Sequence, residues 1–223
     1  MGRKLKLTCK DGQTIGAYVA QPAGTPRGGV VVLPEIFGAN EHIRHVADQY
    51  AEYGYLSIAP ALYDRVEPDV ELGYTGDEPK RGLELRGRTE LPKTLLDIEA
   101  SIDHVKSAGK VGLVGYCWGG TLTFAAACHL PGVAAGSAYY GGGIAKMLDK
   151  QPQAPLIMHF GENDHGIPPA DVEKIKNAFP DLPVYVYPGA GHGFNCDVRA
   201  SYQKEAACLA LSRTLGFFAK NVG

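Results

Sequence analysis

The sequence predicts an α/β domain: a mostly parallel central sheet with helices on both faces. Three observations predict it. Short apolar runs recur along the chain, the clearest being Gly29–Leu33 (GVVVL) and Val111–Val114, as expected of strands buried on both faces of a parallel sheet. Segments with apolar residues at helical spacing separate these runs. Strand and helix then alternate to the end of the chain, which implies right-handed crossovers between parallel strands.

The elements follow in order. Lys4–Thr8 and Thr14–Ala20 read as two strands joined at the Asp11-Gly12 turn. After a Pro/Gly-rich loop comes the buried strand Gly29–Leu33. Asn40 is a helix cap, and Ile43, Val46, Ala47 and Tyr50 form the apolar face of the helix it starts. Strand Tyr55–Ile58 follows, then a long polar stretch over residues 63–89 with no clear element of its own. Its length for a connection marks it as a candidate cap or substrate loop. Leu95, Ile98, Ile102 and Val105 define the next helix. Strand Val111–Val114, helix Gly119–Cys128 and strands Val133–Tyr140 and Leu156–Phe160 come next. Helix Pro168–Phe179, strand Val184–Tyr187 and helix Ser201–Ala219 complete the chain. Neither a repeat nor a linker interrupts residues 1–223, so one domain is expected.

Composition narrows the function classes. The 223 residues are 45% hydrophobic and 21% charged, an ordinary globular balance. A net charge of −2 gives no electrostatic reason to expect nucleic acid. No stretch approaches the roughly 20 apolar residues of a membrane helix, and the basic N-terminus lacks the apolar core of a signal peptide. The five cysteines are odd in number and without CxxC spacing, which points away from a disulfide framework or a zinc site. A reducing, cytoplasmic setting is expected, where a free thiol persists. His42 and His45 lie three apart on a helix without a third ligand and read as solvated surface. His104, His129, His159 and His165 read as structural, and Cys128 as helix packing. No metal or organic cofactor is implied.

The chemistry concentrates in Gly115-Tyr116-Cys117-Trp118-Gly119, a G-x-C-x-G turn between a buried strand and a helix. This is the pattern of a nucleophile elbow with cysteine in the serine position. Glycines at 115 and 119 leave space where the chain doubles back, and the helix N-terminus favours a thiolate. The pattern alone also describes a structural cysteine in a Gly-rich turn. Its partners, however, follow in the required order of acid, then histidine. Asp164 lies in Gly161-Glu162-Asn163-Asp164 after one strand, with Glu162 as the rival acid. His192 lies in Gly191-His192-Gly193-Phe194 after the next. Both fall beyond the carboxyl ends of parallel strands, the edge where open α/β sheets gather their ligands. In that arrangement His192 accepts the thiol proton, and Asp164 orients the imidazole. The backbone N–H groups of Trp118 and Ile36 are the candidate oxyanion donors.

Together, Leu33-Pro34-Glu35-Ile36-Phe37-Gly38, Gly115–Gly120, Gly161–Asp164, Gly191–Phe194 and the segment Asp97–Ile102 (DIEASI) resemble the dienelactone hydrolase family of α/β-hydrolases. The likeness runs from about Gly29 to Phe218. It implies an α/β-hydrolase fold, a Cys-His-Asp triad of Cys117, His192 and Asp164, and hydrolysis of a small ester or lactone, anionic in the family's namesakes. It also implies that Glu35 helps deprotonate the nucleophile as substrate binds. Arg81, in Asp77-Glu78-Pro79-Lys80-Arg81, matches an arginine that holds the substrate carboxylate. Two departures stand out. Cys196 occupies the place of a second arginine, with Arg199 three residues further on, and Leu85 replaces a tyrosine. Cys196 itself, four residues after His192, reads as packing.

Overall fold

The computed structural model describes residues 2–223. Strands β1 (Arg3–Thr8) and β2 (Thr14–Ala20) form the expected hairpin, and β3 (Gly29–Leu33) leads to α1 (Glu41–Glu52). Then come β4 (Leu56–Pro60), α2 (Glu78–Gly87), α3 (Leu91–Val105), β5 (Val111–Tyr116) and α4 (Trp118–His129). The chain ends with β6 (Val133–Tyr139), β7 (Leu156–Gly161), α5 (Pro169–Ala178), β8 (Val184–Tyr187) and α6 (Lys204–Asn221). All eight strands share one sheet in the order β1-β2-β4-β3-β5-β6-β7-β8. The pairs β1–β2 and β2–β4 are antiparallel, and every other pair is parallel.

Burial follows the sequence pattern. Every residue of β3, β5 and β7 is buried, because these strands are covered on both faces. Alternate side chains therefore feed two cores. Val30, Val32 and Val114 join Tyr50, Phe160 and Phe218 on one side, while Val31, Leu33 and Leu113 join Ile98, Ile102 and Leu122 on the other. At the start of α1, Asn40 caps as expected, its side-chain oxygen accepting from Ile43 N–H at 3.2 Å.

Some boundaries and one element differ from expectation. Helix α4 begins at Trp118, directly after the nucleophile candidate, and α6 spans Lys204–Asn221. Within residues 63–89 the chain folds a helix, α2, that periodicity did not reveal. Of its ten residues only Gly82 and Leu85 are buried, so it carries almost no apolar stripe. Among the described residues no helix is long and apolar enough to cross a membrane.

Candidate active site

The turn after β5 is shaped by two glycines and one strained residue. A Cβ on Gly115 would sit 2.0 Å from the Gly119 carbonyl oxygen, and one on Gly119 would sit 2.2 Å from that of Leu33. No side chain fits at either place, which accounts for G-x-C-x-G. Cys117 itself adopts φ 54° and ψ −111°, a conformation that costs a non-glycine residue energy and lifts its side chain off the sheet edge. Its N–H donates to Tyr139 O at 3.0 Å, tying the turn to β6.

Asp164 and His192 meet as the sequence suggested. His192 Nδ1 lies 2.7 Å from Asp164 Oδ2, while Asp164 Oδ1 accepts from Gly166 N–H at 2.8 Å. The carboxylate is buried and both its oxygens are engaged, so it fixes one edge of the imidazole and leaves Nε2 for the thiol. Burial alone would depress the His192 pKa. Hydrogen bonds with Asp164 and Cys117, and the negative charge of both, raise it instead, to about 10. Tyr140, at φ 37°, sets its ring edge-on to the imidazole at 5.0 Å. The rival acid is engaged elsewhere. Glu162 Oε2 accepts from Gly189 N–H at 2.9 Å and braces the loop that carries His192.

Facing Cys117 is the loop after β3. Gly119 N–H donates to Pro34 O at 2.9 Å, which locks this loop against the start of α4. Among the described residues, neither Trp118 N–H nor Ile36 N–H has a hydrogen-bond acceptor. Two unpaired backbone donors beside a nucleophile can receive a developing oxyanion.

Glu35 is fully buried in the same loop. Its Oε1 accepts from Arg199 Nη1 at 2.9 Å, and its Oε2 has no partner among the described residues. Burial raises its pKa despite the positive charges of Arg199 and His192. Arg199 is the arginine the sequence left open. It reaches the site because the chain turns after Cys196, whose thiol is itself buried and pushed up to about 12, chiefly by desolvation. The guanidinium carbon lies 5.7 Å from the Phe37 ring and 5.8 Å from that of Tyr74. Arg81, by contrast, is half-exposed on α2 and paired with Glu67 and, at 3.5 Å, with Glu84.

The structure corrects several histidine readings: His104, His129 and His165, expected to be structural, are exposed, and His42 is the reverse case. His42 is not solvated: it is buried, with Nδ1 3.1 Å from Asp197 Oδ1, and burial lowers its pKa. The reason is its place on α1, which packs against the loop bearing Arg199. His45 is exposed, as expected. His159 is an interior residue hydrogen-bonded to Tyr187 and Ser137, kept neutral by burial, with a pKa of about 3. A surface groove of about 520 Å³ beside the β1–β2 hairpin is lined by none of the triad candidates.

Comparison with known proteins decides the family. The profile of the dienelactone hydrolase family matches residues 15–222. The chain belongs to the dienelactone hydrolase family. A carboxymethylenebutenolidase of Pseudomonas putida is 37% identical over 96% of this chain and 95% of its own length. A Synechocystis protein provisionally named a carboxymethylenebutenolidase is 38% identical, covering 92% of this chain and 91% of its own. A Klebsiella pneumoniae crystal structure, of a protein provisionally named a dienelactone hydrolase, superposes with a TM-score of 0.85 at 31% identity. It covers 98% of each chain. The fold is that of the α/β-hydrolases, and this dienelactone hydrolase family member is a hydrolase acting on an ester or lactone.

Proposed function

We propose that the chain hydrolyses a small carboxylate-bearing lactone or ester through a Cys117-His192-Asp164 triad and a thioester acyl-enzyme. The observation that carries this reading is the Asp164–His192 contact at 2.7 Å, with the Cys117 thiol close enough to help raise the pKa of the imidazole. His192 takes the thiol proton, and the sulfur attacks the carbonyl carbon. The carbonyl electron pair moves onto oxygen, which Trp118 and Ile36 N–H receive. Collapse of that intermediate expels the alkoxide, protonated by the imidazolium. Water then attacks the thioester with His192 as base.

Glu35 and Arg199 add a trigger to this scheme. A substrate carboxylate competes with Glu35 for the guanidinium. Once released, Glu35 is a buried anion without a cation, and it relays the proton of the thiol to His192, whose imidazolium then protonates the alkoxide. The Pseudomonas putida relative is named for cleaving a butenolide with a carboxymethylene group, which supports an anionic lactone here.

The test is hydrolysis of a panel of lactones and aryl esters, with and without a carboxylate, by the wild type and Cys117→Ala. Activity in the wild type and none in the variant supports the mechanism. Near-normal turnover by Cys117→Ala would overturn it.

A further inference from the structure

Tyr63 opens the segment over residues 63–89, well away in sequence from every residue of the triad, and it is almost fully buried. Its hydroxyl lies 3.0 Å from the carbonyl oxygen of Ile36 and 3.1 Å from that of Gly82. Its ring stacks on Trp118, with centroids 5.3 Å apart and planes 12° from parallel. One side chain therefore touches both residues whose N–H groups are the oxyanion donors.

We propose that Tyr63 is a positioning residue for the oxyanion hole, holding the Ile36 side through its hydroxyl and the Trp118 side through its ring, and so coupling the hole to helix α2. This rests on the thioester mechanism above, since an oxyanion forms only if an acyl carbonyl is attacked.

The loop after β3 has other ties, but they act elsewhere. Gly119 N–H holds the Pro34 carbonyl, and Leu72 N–H holds that of Phe37 at 2.9 Å. Between those two anchors lies Ile36, whose carbonyl is held by Tyr63. Burial raises the pKa of the phenol well above its usual value, so the hydroxyl keeps its proton and remains a donor. It has one proton and two carbonyl acceptors, so Ile36 and Gly82 share it. Gly82 is pressed against the same point: a Cβ there would lie 2.4 Å from Ile36 O. Any shift of α2 is thus transmitted directly to the Ile36 peptide. Oxyanion stabilisation depends on donor placement to within a fraction of an ångström, because the donor must meet oxygen where charge develops.

Tyr63→Phe keeps the ring and removes the hydroxyl, and Gly82→Ala pushes on Ile36 O from the other side while improving helix propensity. Loss of a whole oxyanion donor costs about 10²–10³ in kcat. A displaced donor costs less, and each variant should lower kcat for a neutral aryl ester on the order of tenfold, with KM nearly unchanged. Two further measurements separate positioning from general damage. A trifluoromethyl ketone bearing the same aryl group forms a tetrahedral thiolate adduct, with a C–S bond made and the carbonyl pair moved to oxygen. Its inhibition should weaken on the order of tenfold in both variants, following the lost oxyanion contact. Iodoacetamide alkylation of Cys117, which displaces iodide and makes no oxyanion, should proceed at the wild-type rate. Wild-type kcat in Tyr63→Phe would overturn the proposal, as would an equal loss in alkylation, which would show a disturbed thiol. Absence of ester hydrolysis in the wild type itself would instead overturn the thioester mechanism, and with it the need for an oxyanion hole.

Discussion

Arg199 donates to Glu35 at 2.9 Å across 164 residues of chain, and the carboxylate it holds is fully buried with one oxygen unpartnered among the described residues. An ion pair with one end sealed and the other facing two aromatic rings is poised to be broken by a second anion. The Glu35 pKa is already raised by burial even with Arg199 in place, so removing the cation favours proton uptake further.

That raised pKa has a consequence for stability. A carboxyl whose folded pKa exceeds its unfolded value stabilises the fold fully below the unfolded value, near 4.5, and loses that contribution as pH rises through the folded one. Glu35→Gln removes the titration. The urea midpoint of this variant should therefore improve relative to the wild type as pH climbs above 4.5. A constant difference between the two proteins from pH 4 to 8 would show that Glu35 titrates normally.

The two acids of the Gly161–Asp164 segment should separate cleanly. Asp164→Asn leaves the geometry but favours the wrong imidazole tautomer, and should cost on the order of 10³–10⁴ in kcat. Glu162→Gln keeps an acceptor for Gly189 N–H and should stay within a few-fold of wild type. Steady-state kinetics on one ester suffices, and the reverse ranking would assign the role to Glu162.

His192 offers a second pH test with its own sign. Its folded pKa is raised to about 10 from an ordinary 6.5, so the stability it contributes is complete below 6.5 and is lost as pH rises through about 10. Denaturant midpoints of the wild type should fall across that window more steeply than those of His192→Gln. Asp164→Asn should flatten the difference, because Asp164 heads the interactions that raise the pKa. Parallel slopes in wild type and His192→Gln would show an unshifted histidine.

Much of this was legible in the sequence, for local reasons. The buried strands β3 and β5 announce themselves because a doubly covered strand needs apolar residues throughout. The turn at Cys117 does so because no side chain fits at 115 or 119. Helix α2 was hidden because it buries only two of its ten residues and so carries little periodic signal. Tyr63 was hidden for a different reason. Its partners Ile36, Gly82 and Trp118 are brought to it by the β3–α2–α4 arrangement, and nothing near Tyr63 in the chain records that meeting. Arg199 fell between the two. It stood near a position where the family's namesakes carry an arginine, but only the path of the chain past the buried Cys196 shows that it reaches Glu35.

Thiol chemistry offers a direct check on the nucleophile. Cys9, Cys128 and Cys196 are buried, whereas Cys117 is half-buried and Cys208 is exposed. Alkylation should therefore label Cys117 and Cys208 and leave the other three. In a Cys208→Ser background, loss of activity should track one equivalent of label on Cys117, read by peptide mass spectrometry. Full labelling of Cys117 with retained activity would remove it from the mechanism.

The last prediction concerns which arginine reads the substrate. Arg81 is paired with Glu67 and Glu84 on the half-exposed face of α2, and exposed pairs of that kind contribute about 0–1 kcal/mol, so a substrate carboxylate can replace them. Arg199 is coupled to Glu35, and so to the thiol. A guanidinium bound to a substrate carboxylate contributes roughly 1.5–3 kcal/mol, or about ten- to a hundredfold in kcat/KM. Arg81→Ala should show that loss on an anionic lactone and none on a neutral aryl ester, mainly through KM. Arg199→Ala should lose on the anionic lactone in kcat as well, because binding no longer releases Glu35. On the neutral ester the two variants should part: Arg81→Ala unchanged, and Arg199→Ala altered in kcat, since Glu35 has lost its cation permanently. Equal losses for Arg81→Ala on both substrates would make that residue structural. No loss on either would leave Arg199 as the sole carboxylate ligand.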